Sequence, residues 1–499
     1  MPTELRTTIS ARELGKMKKQ GGLSGKIAES AIAFLEKYFG TPLLLDVPPV
    51  LQEIDTELFE AIQTAEKLQA LGIIEKIEKR PNYPDEPFIH RFSITTQTTK
   101  QAGSGADFFS ERSAIWKAIG EATERDLWAT ENDILKSVLH LPYEKIAAQA
   151  LDIFKLAGFS EEQKRLDPRL SFNEKTVFGW ISATSLSGHP SKEKIFCPAQ
   201  LVNSHYFKKN VIDGKTSKEP ILRRCITTGV ATSGILEEAI VKGILEVIER
   251  DAYIIAYLNK ISPLVIDFEH LSFQDTDLEK VFKMFRRYHL EAYLLKLPTD
   301  FSVPVVSAII LDKSGQGPAF VIGNSAKLDL KSAILGALTE ALSIRLSLRR
   351  DWETKKVSPL PELEKFGQYD RMIYWARPEN SARLDFMIRG EKVKIDLSAT
   401  GNFFDNAQEI KDRKYFQRKL EELVGELQKK SYKACYVELS NKAVQKLGLH
   451  CVQVVIPELQ PIHLEERFPC FGGKRLQEVP KLLGYAPAEK INQEPHPFG

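Results

Sequence analysis

An α+β fold is predicted for this 499-residue chain, on three observations. Strand-like and helix-like segments alternate irregularly, which argues against a doubly wound parallel sheet. One decapeptide pattern occurs twice, as Lys117-Ala-Ile-Gly-Glu121-Ala-Thr-Glu124-Arg125-Asp126 and Lys242-Gly-Ile-Leu-Glu246-Val-Ile-Glu249-Arg250-Asp251. A weaker third copy follows at Gly336-Ala-Leu-Thr-Glu340-Ala-Leu-Ser343-Ile-Arg345. Finally, the Gly-bearing segments complete neither a P-loop nor G-x-G-x-x-G, so the usual α/β nucleotide folds are not indicated.

Taken in order, residues 1–66 are predicted to be mostly helical. Leu23 to Phe39 carries Ile27, Ala31, Ile32, Leu35 and Phe39 at helical spacing, and Glu53 to Leu71 is a second amphipathic run. Pro42 and Pro48-Pro49 separate the two. Segments 72–80 and 88–94, joined by a Pro-containing turn, have the pattern of a hairpin. Gly103-Ser-Gly105 then leads, as a loop, into the first repeat helix at 110–128. Strands follow at 176–183 and 194–200. The stretch from Thr228 to Gly234 opens the second repeat helix, 236–258. Strands at 263–267, 290–296 and 303–312 precede Gly323-Asn-Ser325, a third loop, and the third repeat helix at 328–349. A polar stretch to about 367, a helix at 407–430 and a strand pair at 432–439 and 452–456 follow. The tail from Asn492 to Gly499 is too Pro-rich for regular structure. Short Gly/Ser/Thr loops before helices suit an approaching phosphate, although they also serve as ordinary caps.

Composition excludes several classes. The chain is 43% hydrophobic and 27% charged with a net charge of +2, an ordinary globular balance. That balance gives no argument for nucleic acid or an anionic membrane. No apolar run approaches the ~18 residues of a membrane span, and the start Met1-Pro-Thr-Glu-Leu-Arg lacks a signal-peptide layout. Five cysteines without a C-x-x-C suggest buried thiols, hence a cytoplasmic protein.

The repeat carries the chemistry. On a helix its Lys and two Glu fall at i, i+4 and i+7, on one face. Such a stripe is ordinarily solvated. Here, however, Ile240, Val241, Ile244, Leu245, Val247, Ile248, Ala252 and Ile255 make the second helix apolar around most of its circumference. A helix of that kind is mostly buried, so its narrow stripe of Glu238, Lys242, Glu246 and Glu249 is expected to face an internal cleft. Carboxylates gathered there need a cation, and Mg²⁺ binds through a few carboxylates plus substrate phosphates.

With those residues in view, the chain resembles the YcaO-domain family. The match runs through Gly105 and the first repeat, through Gly229-Val-Ala and Glu238-Ala239 to Ala252, and through Gly323-Asn-Ser and Ala337 to Leu342. Val455-Ile-Pro-Glu-Leu-Gln-Pro461 and Lys474-Arg-Leu-Gln-Glu-Val-Pro480 belong to it as well. The resemblance implies a YcaO-like ATP-dependent catalytic domain over 69–499, with mixed sheets and acidic helices. Residues 1–66 remain as a helical appendage for recognition or oligomer contacts. It implies ATP and Mg²⁺ as cofactors, with Glu121, Glu124, Glu246, Glu249 and Glu340 handling metal and phosphate. Glu238 and Arg250 match further nucleotide positions, and Lys117 and Lys242 serve either charge balance or structural salt bridges.

The Lys-Ala-Ile-Gly-Glu form and the Pro495-His496-Pro497 tail resemble the branch that installs azolines in ribosomally made peptides, with His496 as the candidate proton shuttle. Implied partners are a precursor peptide and a separate leader-peptide-binding protein of the E1-like or ThiF-like kind. A homodimer is left open. Alternatives are a thioamide- or amidine-forming relative and a non-catalytic nucleotide-binding docking subunit. The chain departs from the family at Gly234, where some members have Asn, at Gly336 (Arg in some), at Ser343 (Gln in many) and at Gly499 in place of a final proline.

Overall fold

Antiparallel pairing dominates the three sheets of the computed structural model, which describes residues 56–187, 193–213, 219–312, 317–353, 359–397 and 412–498. The helix expected at 23–39 lies outside the described residues, as does Gly499. The chain forms two compact units, the first reaching Pro81 and resuming over His90–Ala122.

In the first unit, α1 (Thr56–Ala70) buries Ala61, Ala65 and Leu68 on one face. The predicted hairpin is present as β1 (Ile74–Lys79) and β2 (His90–Thr96), joined antiparallel by β3 (Ala102–Asp107). Gly103-Ser-Gly105 is therefore strand, not the expected loop. The cause is the following helix, α2 (Glu111–Ala129), which lies directly on this strand. A Cβ at Gly105 would stand 1.9 Å from the Ala114 carbonyl oxygen. Glycine is kept in the strand for that close approach.

The second unit comprises Asn82–Ile89 and everything from Thr123 onward. One of its sheets runs β4 (Leu139–Pro142), β5 (Val177–Ser185), β13 (Cys435–Glu438), β14 (His450–Val455), β7 (Val230–Ser233), with β6 (Lys194–Pro198) on β5. The other runs β11 (Phe320–Ala326), β10 (Val305–Leu311), β9 (Glu291–Lys296), β8 (Leu264–Ile266), β12 (Lys392–Val393). Only β8 and β12 among these strands pair parallel. The mixed, mainly antiparallel arrangement is that of an α+β protein.

Helix α3 (Leu236–Leu258) packs against β7 and β14 of the first of these sheets and β10 and β11 of the second. Contact on two sides explains its unbroken apolar wheel, and Ile244, Ile248, Ala252 and Ile255 are all buried. Each such aliphatic side chain contributes roughly 1.5–3 kcal/mol when fully buried. After α4 (Thr276–Arg287), α5 (Leu330–Glu353) packs on β10 and β11. Gly323-Asn-Ser325, expected as a loop, also belongs to a strand, β11, because a Cβ at Gly323 would meet Ala337 O at 2.4 Å. Helices α6 (Gln368–Ala376), α7 (Arg413–Lys429) and α8 (Arg475–Leu482) complete the longer elements. All five cysteines are buried and unpaired. Among the described residues no helix is long and apolar enough to cross a membrane.

Candidate functional site

Each repeat is a strand followed by a helix, and the first acid of the helix caps its own strand. Glu121 accepts from Ser104 N at 2.6 Å, Glu246 from Gly229 N at 3.0 Å and Glu340 from Asn324 N at 2.6 Å. The partners are 17, 17 and 16 residues apart, so the repeat is structural as well as sequential. The second acid reaches the strand of the following repeat. Glu124 accepts from Thr232 N at 2.6 Å and Glu249 from Ala326 N at 2.7 Å. Ser343 holds that position in the third repeat. Charged acceptors on backbone N–H groups make strong, well-oriented bonds, which fixes these carboxylates at the strand edges.

Around Arg250 the second unit gathers an excess of negative charge. Its guanidinium pairs with Glu249 at 2.8 Å and Glu246 at 3.2 Å, and Glu340 lies within its electrostatic reach. Burial pushes the Glu340 carboxyl up, to about 8, against the pull of Arg250, and Glu249 and Glu246 push it the same way. Burial likewise raises Glu246. Three carboxylates, once all are ionised, are under-compensated by one guanidinium, and burial together with this excess makes Glu340 and Glu246 hold their protons more tightly than usual.

A divalent cation would supply the missing charge, and carboxylate oxygens are the donors that suit Mg²⁺. No group of three or more His, Cys, Asp or Glu among the described residues forms a ready-made metal shell.

A pH dependence follows. Below about pH 8 Glu340 retains its proton in the cation-free chain, and an incoming cation displaces it. The apparent Mg²⁺ affinity, measured by calorimetry with ATP present, is expected to rise by up to about tenfold per pH unit and to level off above that pH. Glu340→Gln should flatten the curve. An affinity independent of pH in the native chain overturns the assignment of Glu340.

The two lysines stand in local pairs. Lys117 bonds Asp107 at 2.9 Å and Ala106 O at 3.0 Å, and Lys242 pairs with Glu238 at 2.9 Å. Glu238 also accepts from the Ser233 hydroxyl. Of the departures, Gly336 has a steric reason, since a Cβ there would lie 2.3 Å from Ser325 Oγ. A larger residue there would require the Ser325 side chain to move.

The tail is ordered against α3. Pro495 O accepts from Tyr257 Oη and Trp375 Nε1, both at 2.9 Å, and Asn492 N donates to Leu258 O at 2.8 Å. Pro495, His496 and Pro497 are buried. His496 Nε2 lies 2.6 Å from His463 O, a distance that places the hydrogen on Nε2. Arg371 Nη1, 3.0 Å from the same nitrogen, is then an electrostatic neighbour and not a donor to it. Burial and Arg371 hold the imidazole well below its ordinary value, and Nδ1 has no hydrogen-bond partner in the structure. His496 is thus a neutral imidazole with an unused acceptor nitrogen.

Sequence reasoning missed Phe498, whose ring lies 4.0 Å from the Arg250 guanidinium carbon. It also missed the role of Asp251. This aspartate accepts from Gln460 N at 2.7 Å and from Arg475 Nε at 2.8 Å and Nη2 at 2.6 Å. The two late segments matched to the family thus converge on the Asp of the Glu-Arg-Asp motif. The repetition of that Asp was the available signal.

A family model described as YcaO cyclodehydratase, ATP- and Mg²⁺-binding, matches residues 103–460. An uncharacterized protein of Methanothermobacter thermautotrophicus is 28% identical over 295 residues, covering 57% of this chain and 66% of that protein. Among solved structures, a heterocyclase in complex with substrate and cofactor aligns with a TM-score of 0.63 at 21% identity, over 87% of this chain. The chain spans only 57% of that heterocyclase. YcaO from Methanopyrus kandleri, bound with AMPPCP and Mg²⁺, aligns with a TM-score of 0.54 at 17% identity, over 82% of this chain and 91% of that one. At such identities the two structures speak for the fold.

Proposed function

The chain belongs to the YcaO family, whose members bind ATP and Mg²⁺, and from that premise we propose that it activates a backbone amide of a ribosomally made precursor peptide for cyclodehydration. The thiol or hydroxyl of a Cys, Ser or Thr adds to the preceding carbonyl carbon. The amide oxygen then takes the γ-phosphoryl group of ATP and departs as phosphate. One water is lost from the peptide for each ATP converted to ADP and phosphate. Without phosphorylation that oxygen is a poor leaving group.

The observation that carries the reading is the under-compensated set of Glu246, Glu249 and Glu340 around Arg250. Phosphoryl transfer calls for positioning and charge neutralisation more than covalent chemistry. Mg²⁺ would be held by Glu246, Glu249 and Glu340, with Glu124 of α2 held against β7 by Thr232 N, and would neutralise the triphosphate. Glu121 is assigned by its equivalent place in the first repeat. Arg250 contacts phosphate, and Glu238 orders the loop at the start of α3 through Ser233. Lys117 and Lys242 keep structural salt bridges. His496, between Pro495 and Pro497, relays the proton released by the attacking side chain, its depressed basicity favouring transfer onward over retention.

A separate leader-peptide-binding protein of the E1-like or ThiF-like kind presents the substrate, and residues 1–66 serve recognition or oligomer contacts. Incubating the chain with ATP, Mg²⁺, such a partner and a short Cys/Ser/Thr-rich candidate precursor peptide sought among the neighbouring genes tests this. Peptide-dependent ATP turnover with loss of one water per modified residue is expected. Turnover with exchange of oxygen for sulfur or nitrogen would favour a thioamide or amidine product. Nucleotide binding without turnover would favour a docking subunit.

A further inference from the structure

We infer that Phe498 is a positioning residue that holds Arg250 in place for phosphate, an inference that rests on the ATP-site reading above. The side chain of Phe498 is buried, with its ring 4.0 Å from the Arg250 guanidinium carbon. Its backbone N–H donates to Tyr253 Oη at 3.2 Å, and the Tyr253 and Phe498 ring centroids are 5.6 Å apart. Tyr253 follows Arg250 by three residues on α3, so the tail grips one helix face at two successive points.

The need for such a grip comes from the other partners of Arg250. Its Nη2 donates to Glu246 and its Nη1 stands 2.8 Å from a Glu249 oxygen, the acids assigned to Mg²⁺. When those acids turn to a metal, the guanidinium loses both of its anionic anchors. The Phe498 ring is neutral, competes for neither metal nor phosphate, and holds the cation by its face. Arg250 can then exchange carboxylate for phosphate without leaving its place. Phe498 and Arg250 are 248 positions apart in the sequence, and the contact ties the tail to the nucleotide site independently of any proton-transfer role for His496.

The test is Mg²⁺·ATP binding by calorimetry to the full chain carrying mono-, di- and trifluorinated phenylalanine at position 498, with Phe498→Leu alongside. Fluorination drains the ring face while nearly preserving its shape, so melting temperature should stay constant through the series. The dissociation constant is expected to climb stepwise, reaching roughly tenfold for the trifluorinated ring and for Phe498→Leu. A flat fluorination series with a binding-competent native chain overturns the inference and leaves the ATP site standing, whatever the stability of Phe498→Leu. A native chain that does not bind Mg²⁺·ATP overturns the ATP-site reading, and the inference falls with it.

Discussion

Glu249→Gln is expected to reduce peptide-dependent ATP hydrolysis by on the order of a hundredfold or more while leaving the fold intact, the scale set by removing a preorganised electrostatic group. Glu249 Oε2 accepts from Ala326 N at 2.7 Å and Oε1 pairs with Arg250 at 2.8 Å. Glutamine retains the volume and can still accept from Ala326 N, so no cavity opens. It loses the negative charge and turns its amide hydrogens toward a guanidinium that also donates. Glu246→Gln repeats the experiment one turn earlier, where the acid accepts from Gly229 N. Both variants should melt within a few degrees of the native chain. Undiminished turnover in either would remove that residue from the metal set, whereas loss of turnover together with the melting transition would show a structural role only.

The parts of the fold that were legible in the sequence are those with a period. Helix α3 falls on 236–258 as expected because its apolar residues and its acidic stripe repeat with the helix. The strand pair β13 and β14 and the strands from 264 to 311 were found through runs of Val, Ile and Leu. The Gly/Ser segments were misassigned for a physical reason. Glycine and serine carry no strand signal, and Gly103, Gly105 and Gly323 lie in strands because a helix backbone approaches them. No local pattern encodes that approach.

The candidate acids were legible from the repeat, but their hydrogen-bond partners were not. The N–H groups of Ser104, Gly229 and Asn324 become acceptor-seeking only once strand and helix stack. The place of the tail depended on family resemblance, since the contacts of Pro495 with Tyr257 and Trp375 span more than 100 residues. Phe498 had neither a period nor a repeat to mark it.

Arg475→Met is expected to cost about 3–5 kcal/mol of stability, the usual consequence of removing one partner from a buried ion pair. Arg475 and Asp251 keep only 3% and 1% of their side-chain surface exposed. Five contacts satisfy the guanidinium: two to Asp251, two to Asp300 and one to Tyr432 Oη. Asp300 retains Lys430 at 2.8 Å when Arg475 is gone, whereas Asp251 keeps the neutral Gln460 N–H. The loss therefore falls mainly on Asp251, a buried charge on the face of α3 that meets Gln460 and Arg475.

That asymmetry sets the control. Adding Asp251→Leu to Arg475→Met removes the stranded charge and should recover a large part of the loss, since apolar replacement of a buried pair is often close to neutral. Equilibrium denaturation of the four chains of this cycle measures the coupling between the two sites. If Arg475→Met unfolds at the same denaturant concentration as the native chain, or if the double variant is no more stable than Arg475→Met, Asp251 is not the anchor of the late segments. Its repetition in the Glu-Arg-Asp motif would then need a different cause.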